Sequence, residues 1–333
     1  MTLKETAQKL VEAPKGILAA DSRNSSMDKK LASVGVPGTP EDRRHYRNIL
    51  FTTPEIENYI TGVILFDETM RQQTDDGILF PDYLNQKGIL PGIKVDEGKE
   101  PFGDSPKEEV TKGIASLQTR LPEYKGMGAH FTKWRAVIRI GEGLPGKVAV
   151  EENAKRLAVF ARISQEFSLV PIVEPEVLYD GIHTLERSEE VLERTLIMVF
   201  DALQKEKVDL GGMLLKTSMA LPGKDSGIAF DPALIAKATV EALKNSVPPE
   251  VPGVVFLSGG QTGKEAATNL NAIAQLGGQP WPLTFSFARA LHNPVLEIWR
   301  GDDTKIEEAQ EAFQKRMRLA TLAREGKYNA SME

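Results

Sequence analysis

The stretch GILAADSRNSS, Gly16 to Ser26, decides between two architectures that the rest of the chain leaves open. Its first half is a short apolar run closed by an acid, which reads as a buried strand, and no glycine follows it. A doubly wound open sheet usually carries a glycine-rich nucleotide-binding turn straight after its first strand. Without that turn, the alternation along the remaining sequence predicts a closed barrel. Seven further apolar runs follow: YITGVILFD (Tyr59 to Asp67), ILPGIKVD (Ile89 to Asp96), FTKWRAVIRI (Phe131 to Ile140), LVPIVEPEVL (Leu169 to Leu178), GGMLLKTSM (Gly211 to Met219), GVVFLSGG (Gly253 to Gly260) and PLTFSFAR (Pro282 to Arg289). Segments of helical spacing separate them, such as Ala154, Leu157, Ala158 and Ala161. Nearly all-apolar strands joined by helical crossovers predict a parallel sheet covered by helices, and eight such units predict an α/β protein of the (β/α)8 TIM-barrel type. No Pro/Gly/Ser linker interrupts the sequence, so residues 1–333 read as one domain, with an N-terminal helix over 3–13 and a C-terminal helix over about 303–325 packed on the barrel.

Composition narrows the function classes. With 41% hydrophobic and 26% charged residues, the chain resembles an ordinary globular protein and not a disordered or fibrous one. A net charge of -6 without a Lys/Arg block argues against nucleic acid or an anionic membrane as the main partner, while local sites for small anions remain open. The absence of cysteine removes disulfides, thiolate nucleophiles and Cys-based zinc sites. No apolar run approaches transmembrane length, and MTLKETAQKLVEAPKG lacks the apolar core of a secretory signal. The expected location is cytoplasmic; a plastid location stays open, because a removed transit peptide would leave no trace in this numbering.

Six of the eight predicted strands carry charge in or at the end of an apolar run: Asp21, Lys94, Lys133 with Arg135, Glu174 with Glu176, Lys216, and Arg289. Because strand side chains alternate faces, Lys133 and Arg135 share one face, as do Glu174 and Glu176. Facing inward, the four would converge inside the barrel at a depth that periodicity does not fix, and the C-terminal ends of barrel strands are where catalytic groups sit. Plainer readings exist: Asp21 as a helix cap or turn former, and Lys133 and Arg135 as partners of a structural carboxylate. Two carboxylates on one face repel unless cations lie between them. Lys216 is hardest to explain structurally, since it follows Met213, Leu214 and Leu215 in a predicted central strand. Desolvation and neighbouring cations should lower its pKa, and a neutral amine attacks ketones to form a Schiff base. Such chemistry needs carboxylates to move protons and cations to hold anionic ends. The glycines of LSGG, Leu257 to Gly260, with Arg289 one strand later, suit a phosphate.

The segments GILAAD, GIKVD, KWR, PIVEPE, LLK, FLSGGQ and FSFARAL, in this order over nearly the whole chain, closely resemble the class I fructose-1,6-bisphosphate aldolase family. The resemblance implies reversible cleavage of fructose-1,6-bisphosphate to dihydroxyacetone phosphate and glyceraldehyde-3-phosphate in glycolysis and gluconeogenesis. It implies an imine on Lys216, no metal or other cofactor, small sugar phosphates as partners, and a homotetramer. By the same resemblance, Glu174 is the acid/base of carbinolamine formation and dehydration. Asp21 assists deprotonation of the C4 hydroxyl, Lys133 polarises groups beside it, and Glu176 supports the Glu174 and Lys216 network. Arg135 and Lys94 lie toward the C6 phosphate; Ser258, Gly259 and Arg289 bind the C1 phosphate, with Ser26 and Lys30 in the phosphate-binding set.

Departures from the family pattern accompany the match. Ser22 and Arg23 stand where the family commonly has Glu and Ser, exchanging a carboxylate for a cation nearby. Thr217 and Ser218 replace the usual Pro and Asn after the lysine, and Lys30 replaces an Arg, losing the bidentate fork. Tyr328 matches an earlier family tyrosine, so tail-assisted proton transfer is not expected. His45, His130, His183 and His292 lack ligand-like spacing, so no metal site is expected. Two alternatives remain: a Schiff-base aldolase preferring another sugar phosphate, such as sedoheptulose-1,7-bisphosphate, and a non-catalytic phosphosugar-binding scaffold. Retention of Asp21, Glu174 and Lys216 together argues against the scaffold.

Overall fold

In the computed structural model, which describes residues 1–103 and 105–333, each of the eight apolar runs contains a strand. They are β1 Gly16–Ala19, β2 Ile60–Leu65, β3 Leu90–Lys94, β4 Phe131–Ile138, β5 Val170–Val177, β6 Leu214–Thr217, β7 Val254–Phe256 and β8 Leu283–Phe287. Neighbours in sequence are parallel neighbours in space, and β8 closes on β1 with Ser286 opposite Ile17. Parallel neighbours need a crossover connection, and the helical segments supply it. Thr184, for example, caps the helix Leu185–Lys205, whose buried Val191, Leu192, Thr195, Leu196 and Val199 form the stripe that lies on the sheet.

Strand alternation divides the core in two. Leu18, Val63, Ile93, Trp134, Val173, Leu215 and Phe256 belong to the layer shared with the helices, whereas Ile17, Ile64, Leu90, Phe131, Ile172, Leu214 and Val255 form a separate interior cluster. The helix Leu3–Leu10 plugs the N-terminal end of the barrel by adding Ala7 and Leu10 to that interior cluster. The Phe131 ring occupies space that Gly92 leaves empty, since a Cβ at position 92 would lie 2.2 Å from it. Gly92→Ala is therefore expected to destabilise the barrel by about 1–3 kcal/mol through overpacking, read as a lower Tm in calorimetry.

Both terminal helices differ slightly from expectation. The first stops at Leu10 instead of 13, because Val11 leaves helical geometry and Ala13 precedes Pro14, a position that disfavours the helix. The last begins with a 3-10 turn, Asp303–Lys305, and continues as Ile306–Arg324. Its Arg324 guanidinium donates to the carbonyls of Val11, Glu12 and Lys15, tying the C-terminal helix to the segment that enters β1. An antiparallel hairpin, Lys99–Phe102 with Ser105–Thr111, lies between β3 and β4 and was not anticipated. Its strands, KEPF and SPKEEVT, are dominated by polar and charged residues, so no apolar run announces them.

Candidate active site

Interior positions change character along each strand. Two residues beyond the apolar interior group on the same face, the side chain becomes charged: Asp21 after Ala19, Lys133 after Phe131, Glu174 after Ile172 and Lys216 after Leu214. Lys94 likewise follows Gly92 on β3, and Arg135 and Glu176 lie one step further toward the C-terminal mouth. Register brings these groups together, because Arg135 stands opposite Glu174, and Ile172 opposite Leu214.

The result is a continuous line of ion pairs. Lys216 Nζ lies 3.2 Å from Glu174 Oε1, Glu174 Oε2 lies 2.5 Å from Lys133 Nζ, and Lys133 Nζ donates to Asp21 Oδ2 at 3.0 Å. Lys133, Glu174 and Lys216 are each 3% exposed, so these charges are stabilised by one another and not by solvent. Arg135 Nε pairs with Glu176 Oε2, which gives the second carboxylate of β5 its own cation. The repulsion anticipated between Glu174 and Glu176 is resolved in this way, each carboxylate being matched by a cation of β4. Glu176 thus contacts Arg135 directly and influences Lys216 through its field.

Titration follows from burial and these charges. Burial lowers the Lys216 ammonium to about 8, with Asp21 and Glu176 opposing the shift and Arg135 adding to it. Burial brings Lys133 to about 8 as well, against the pull of Asp21. Burial pushes the Asp21 carboxyl up, yet the combined fields of Lys133, Lys94 and Lys216 hold it well below its ordinary value. Near pH 7 about a tenth of Lys216 is therefore a free amine while Asp21 is ionised. The rate of covalent adduct formation at Lys216 is expected to rise with pH and level off above about 8, because only the unprotonated amine attacks. Rapid-quench trapping at constant carbonyl concentration reads this profile, and a plateau reached only near the ordinary lysine value would contradict it.

Asp21 caps no helix: Arg23 is the N-cap residue of Asn24–Ala32, with no side-chain cap, and Asp21 turns to Lys133. His45 pairs with Asp303 at 2.9 Å, His130 with Asn85 at 3.1 Å, and buried His292 with the Tyr46 hydroxyl at 3.1 Å. Among the described residues, no three His, Asp or Glu side chains converge as a metal-ligand set.

A cleft of about 470 Å³ opens at the C-terminal mouth. It is lined by every candidate catalytic and phosphate-binding residue of the sequence analysis: the core of charges already described, Lys94, and Ser26, Lys30, Ser258, Gly259 and Arg289 around the rim. Gly259 and Gly260 have φ of 59° and 102°, and a Cβ at Gly260 would lie 3.0 Å from the Tyr179 ring. Glycine is needed there, and the bare turn leaves backbone N–H groups open to an anion. Lys30 feels burial first and then the nearby Arg289 charge, both of which lower its pKa. Eight cationic and four acidic side chains line the cleft, in a protein whose net charge is -6. A strongly anionic small molecule fits that balance.

Sequence reasoning passed over Asp96 and Lys99, which also line the cleft. Asp96 closes the IKVD run, a signal that was present; Lys99 sits on the unforeseen hairpin and had none. The departures also have places. Ser22 Oγ accepts from Lys30 Nζ at 3.0 Å, and Arg23 donates to Asp96 Oδ1 at 2.8 Å. Thr217 is fully buried, and Ser218 Oγ accepts from the Val177 N–H at 3.1 Å, tying the end of β6 to β5.

Closed parallel barrel and buried amine-carboxylate line at the C-terminal mouth together define a barrel enzyme acting on small anionic molecules. Comparison with known proteins narrows the class. The family model described as "Glycolytic: Fructose-bisphosphate aldolase class-I" matches residues 2–333, and the chain belongs to that family. A relative from Xanthomonas axonopodis pv. citri, "Probable fructose-bisphosphate aldolase class 1", is 46% identical over 98% of both chains. "Fructose-bisphosphate aldolase 4, cytosolic" of Arabidopsis thaliana is 47% identical over 96% of this chain and 81% of its own. Among solved structures, the fructose-bisphosphate aldolase of Plasmodium falciparum in complex with TRAP and a small molecule inhibitor superimposes with a TM-score of 0.97. It is 42% identical, covering 98% of this chain and 95% of its own.

Proposed function

We propose that this chain cleaves fructose-1,6-bisphosphate reversibly to dihydroxyacetone phosphate and glyceraldehyde-3-phosphate through an imine on Lys216, all 333 residues acting as one catalytic unit. The observation that carries the reading is the unbroken line Lys216, Glu174, Lys133, Asp21 at 3.2, 2.5 and 3.0 Å, which places a free amine beside one carboxylate and a second carboxylate at its far end. The Lys216 nitrogen attacks the C2 carbonyl of the ketose. Glu174 takes the proton that the Lys216 ammonium sheds before attack and returns it to the carbinolamine hydroxyl, which leaves as water. Asp21, held ionised, accepts the C4 hydroxyl proton; the C3–C4 bond breaks, its electron pair passes to the iminium, and the aldehyde departs. The enamine is then protonated at C3, and water releases the ketone. No metal is needed in this scheme, because the protonated imine is the electron sink. Lys133 orients Glu174 and Asp21, Glu176 holds Arg135, and two groups of rim residues hold the phosphates: the cations Lys30 and Arg289 with the neutral donors Ser258, Gly259 and Ser26 for one, Lys94 and Arg135 for the other.

Exposed Ile182, Ile228, Phe230 and Leu234 support self-association as a homotetramer. The loop carrying Ile228 is bonded to the one carrying Ile182, Asp225 N–H donating to Gly181 O at 2.9 Å. Light-scattering mass reads this directly. A cytoplasmic location agrees with the Arabidopsis relative named cytosolic, although another Arabidopsis relative is named chloroplastic. Among the described residues, no helix is long and apolar enough to cross a membrane.

Borohydride reduction with dihydroxyacetone phosphate in the presence of EDTA, followed by peptide mass mapping, tests the reading. A reduced adduct on Lys216, together with faster cleavage of fructose-1,6-bisphosphate than of sedoheptulose-1,7-bisphosphate, is the expected result. No adduct on folded protein sinks it.

A further inference from the structure

The cations of the cleft come from the ends of different strands. Arg289, after β8, lines it with the glycine turn after β7, next to β6 and its Lys216, whereas Lys30, which feels the Arg289 charge, donates to Ser22 Oγ at 3.0 Å beside Arg23. The second group gathers around Asp96, after β3: Arg23 Nη2 lies 2.8 Å from its carboxylate, Lys94 Nζ 3.9 Å, and Lys99 reaches the same cleft from the hairpin. Lys99 is paired with Glu109 at 2.5 Å, so one carboxylate, Asp96, faces the two cations Arg23 and Lys94. Arg23 differs from its neighbours in presenting a planar fork of donors. Its side chain is 36% exposed at the mouth, and a single hydrogen bond, to Asp96, holds its guanidinium among the described residues. Gly98 makes room for it: with φ of 108° and a would-be Cβ only 2.6 Å from Arg23 Nη1, any side chain at 98 would push the guanidinium away. Asp96 is 8% exposed and cannot turn to solvent, so the fork is anchored at one edge and open toward the cleft at the other.

Resting on the aldolase reading, we propose that Arg23 is a specificity-determining residue that grips the phosphate farther from Lys216, and so sets the preference for bisphosphorylated over monophosphorylated ketoses. A phosphate on the carbon chain's far end reaches the β1 and β3 side of the mouth once the C2 carbonyl is held at β6. A monophosphate bearing its group next to the carbonyl does not reach Arg23 and gains nothing from it.

The test compares kcat/KM for fructose-1,6-bisphosphate and fructose-1-phosphate in wild type, Arg23→Ala and Arg23→Gln. Glutamine keeps a donor for Asp96 but no charge, so it preserves the tether where alanine disturbs folding. Loss of one charge-assisted phosphate contact is expected to lower the bisphosphate to monophosphate ratio roughly 10 to 100-fold in both variants, mainly through KM for the bisphosphate. A ratio that stays unchanged in Arg23→Gln, whether the two efficiencies fall together or not at all, overturns the assignment and leaves Arg23 a structural partner of Asp96. Wild-type protein that cleaves neither ketose and gives no borohydride adduct overturns the aldolase reading and this assignment with it.

Discussion

Lys216→Met is expected to lower kcat for fructose-1,6-bisphosphate cleavage by on the order of 10⁴-fold or more and to abolish the borohydride adduct, with the barrel still folded. The size of the effect follows from the lysine's task. Without the imine there is no electron sink for the C3–C4 pair, and no nearby group can replace it: Lys133 has a similar pKa of about 8 but is engaged by Asp21 at 3.0 Å and Glu174 at 2.5 Å. Methionine has a similar length and suits the surrounding Leu214, Leu215 and Met213, all 0% exposed. Glu174 also keeps its pairing with Lys133, so the loss of fold stability is small beside the loss of rate. Steady-state kinetics and calorimetry on the same sample separate the two; a variant keeping more than about a hundredth of wild-type kcat would refute the imine mechanism.

Glu174→Gln is expected to lower kcat by roughly 10² to 10⁴-fold while leaving the amine in place. The carboxylate touches both lysines, so its loss removes the proton carrier for carbinolamine dehydration and the negative charge between two buried cations. The stability cost is about 3–5 kcal/mol where both lysines stay charged, and it shrinks as pH rises because Lys216 can shed its proton. The sign of the pH effect follows: losing an anionic neighbour lowers the lysine pKa further, so the rising limb of adduct formation moves below about 8 while the plateau rate falls. Rapid-quench trapping across pH reads both. A limb that stays fixed with an undiminished plateau would mean that Glu174 neither neighbours the amine electrostatically nor carries its protons.

How legible the site was differs from residue to residue. Lys216 was visible because a lysine behind three apolar residues in a predicted central strand has no bland explanation. Glu174 and Glu176 were visible through the period of two, which puts them on one face. The depth at which they sit was not visible, since periodicity says which face a residue takes and nothing of how far along the barrel axis its neighbours stand. Arg23 appeared in the sequence as a departure beside the first strand; its contact with Asp96 spans 73 positions and rests on the space above Gly98, which no local pattern encodes. The hairpin carrying Lys99 stayed hidden because polar strands on a surface bury little and so leave no hydrophobic signature.

The eight barrel strands, their parallel pairing and the identity of the charges those apolar strands carry were set by sequence alone, because hydrophobic periodicity and side-chain alternation are local properties that survive without coordinates. Only the closed barrel decided which charge meets which. Register between β4, β5 and β6 places Glu174 between two lysines and gives Glu176 to Arg135, and burial among these charges lowers both lysines to about 8. Coulombic and desolvation energies depend on separations of a few ångströms across the barrel, and such separations exist only once distant strands have closed on one another.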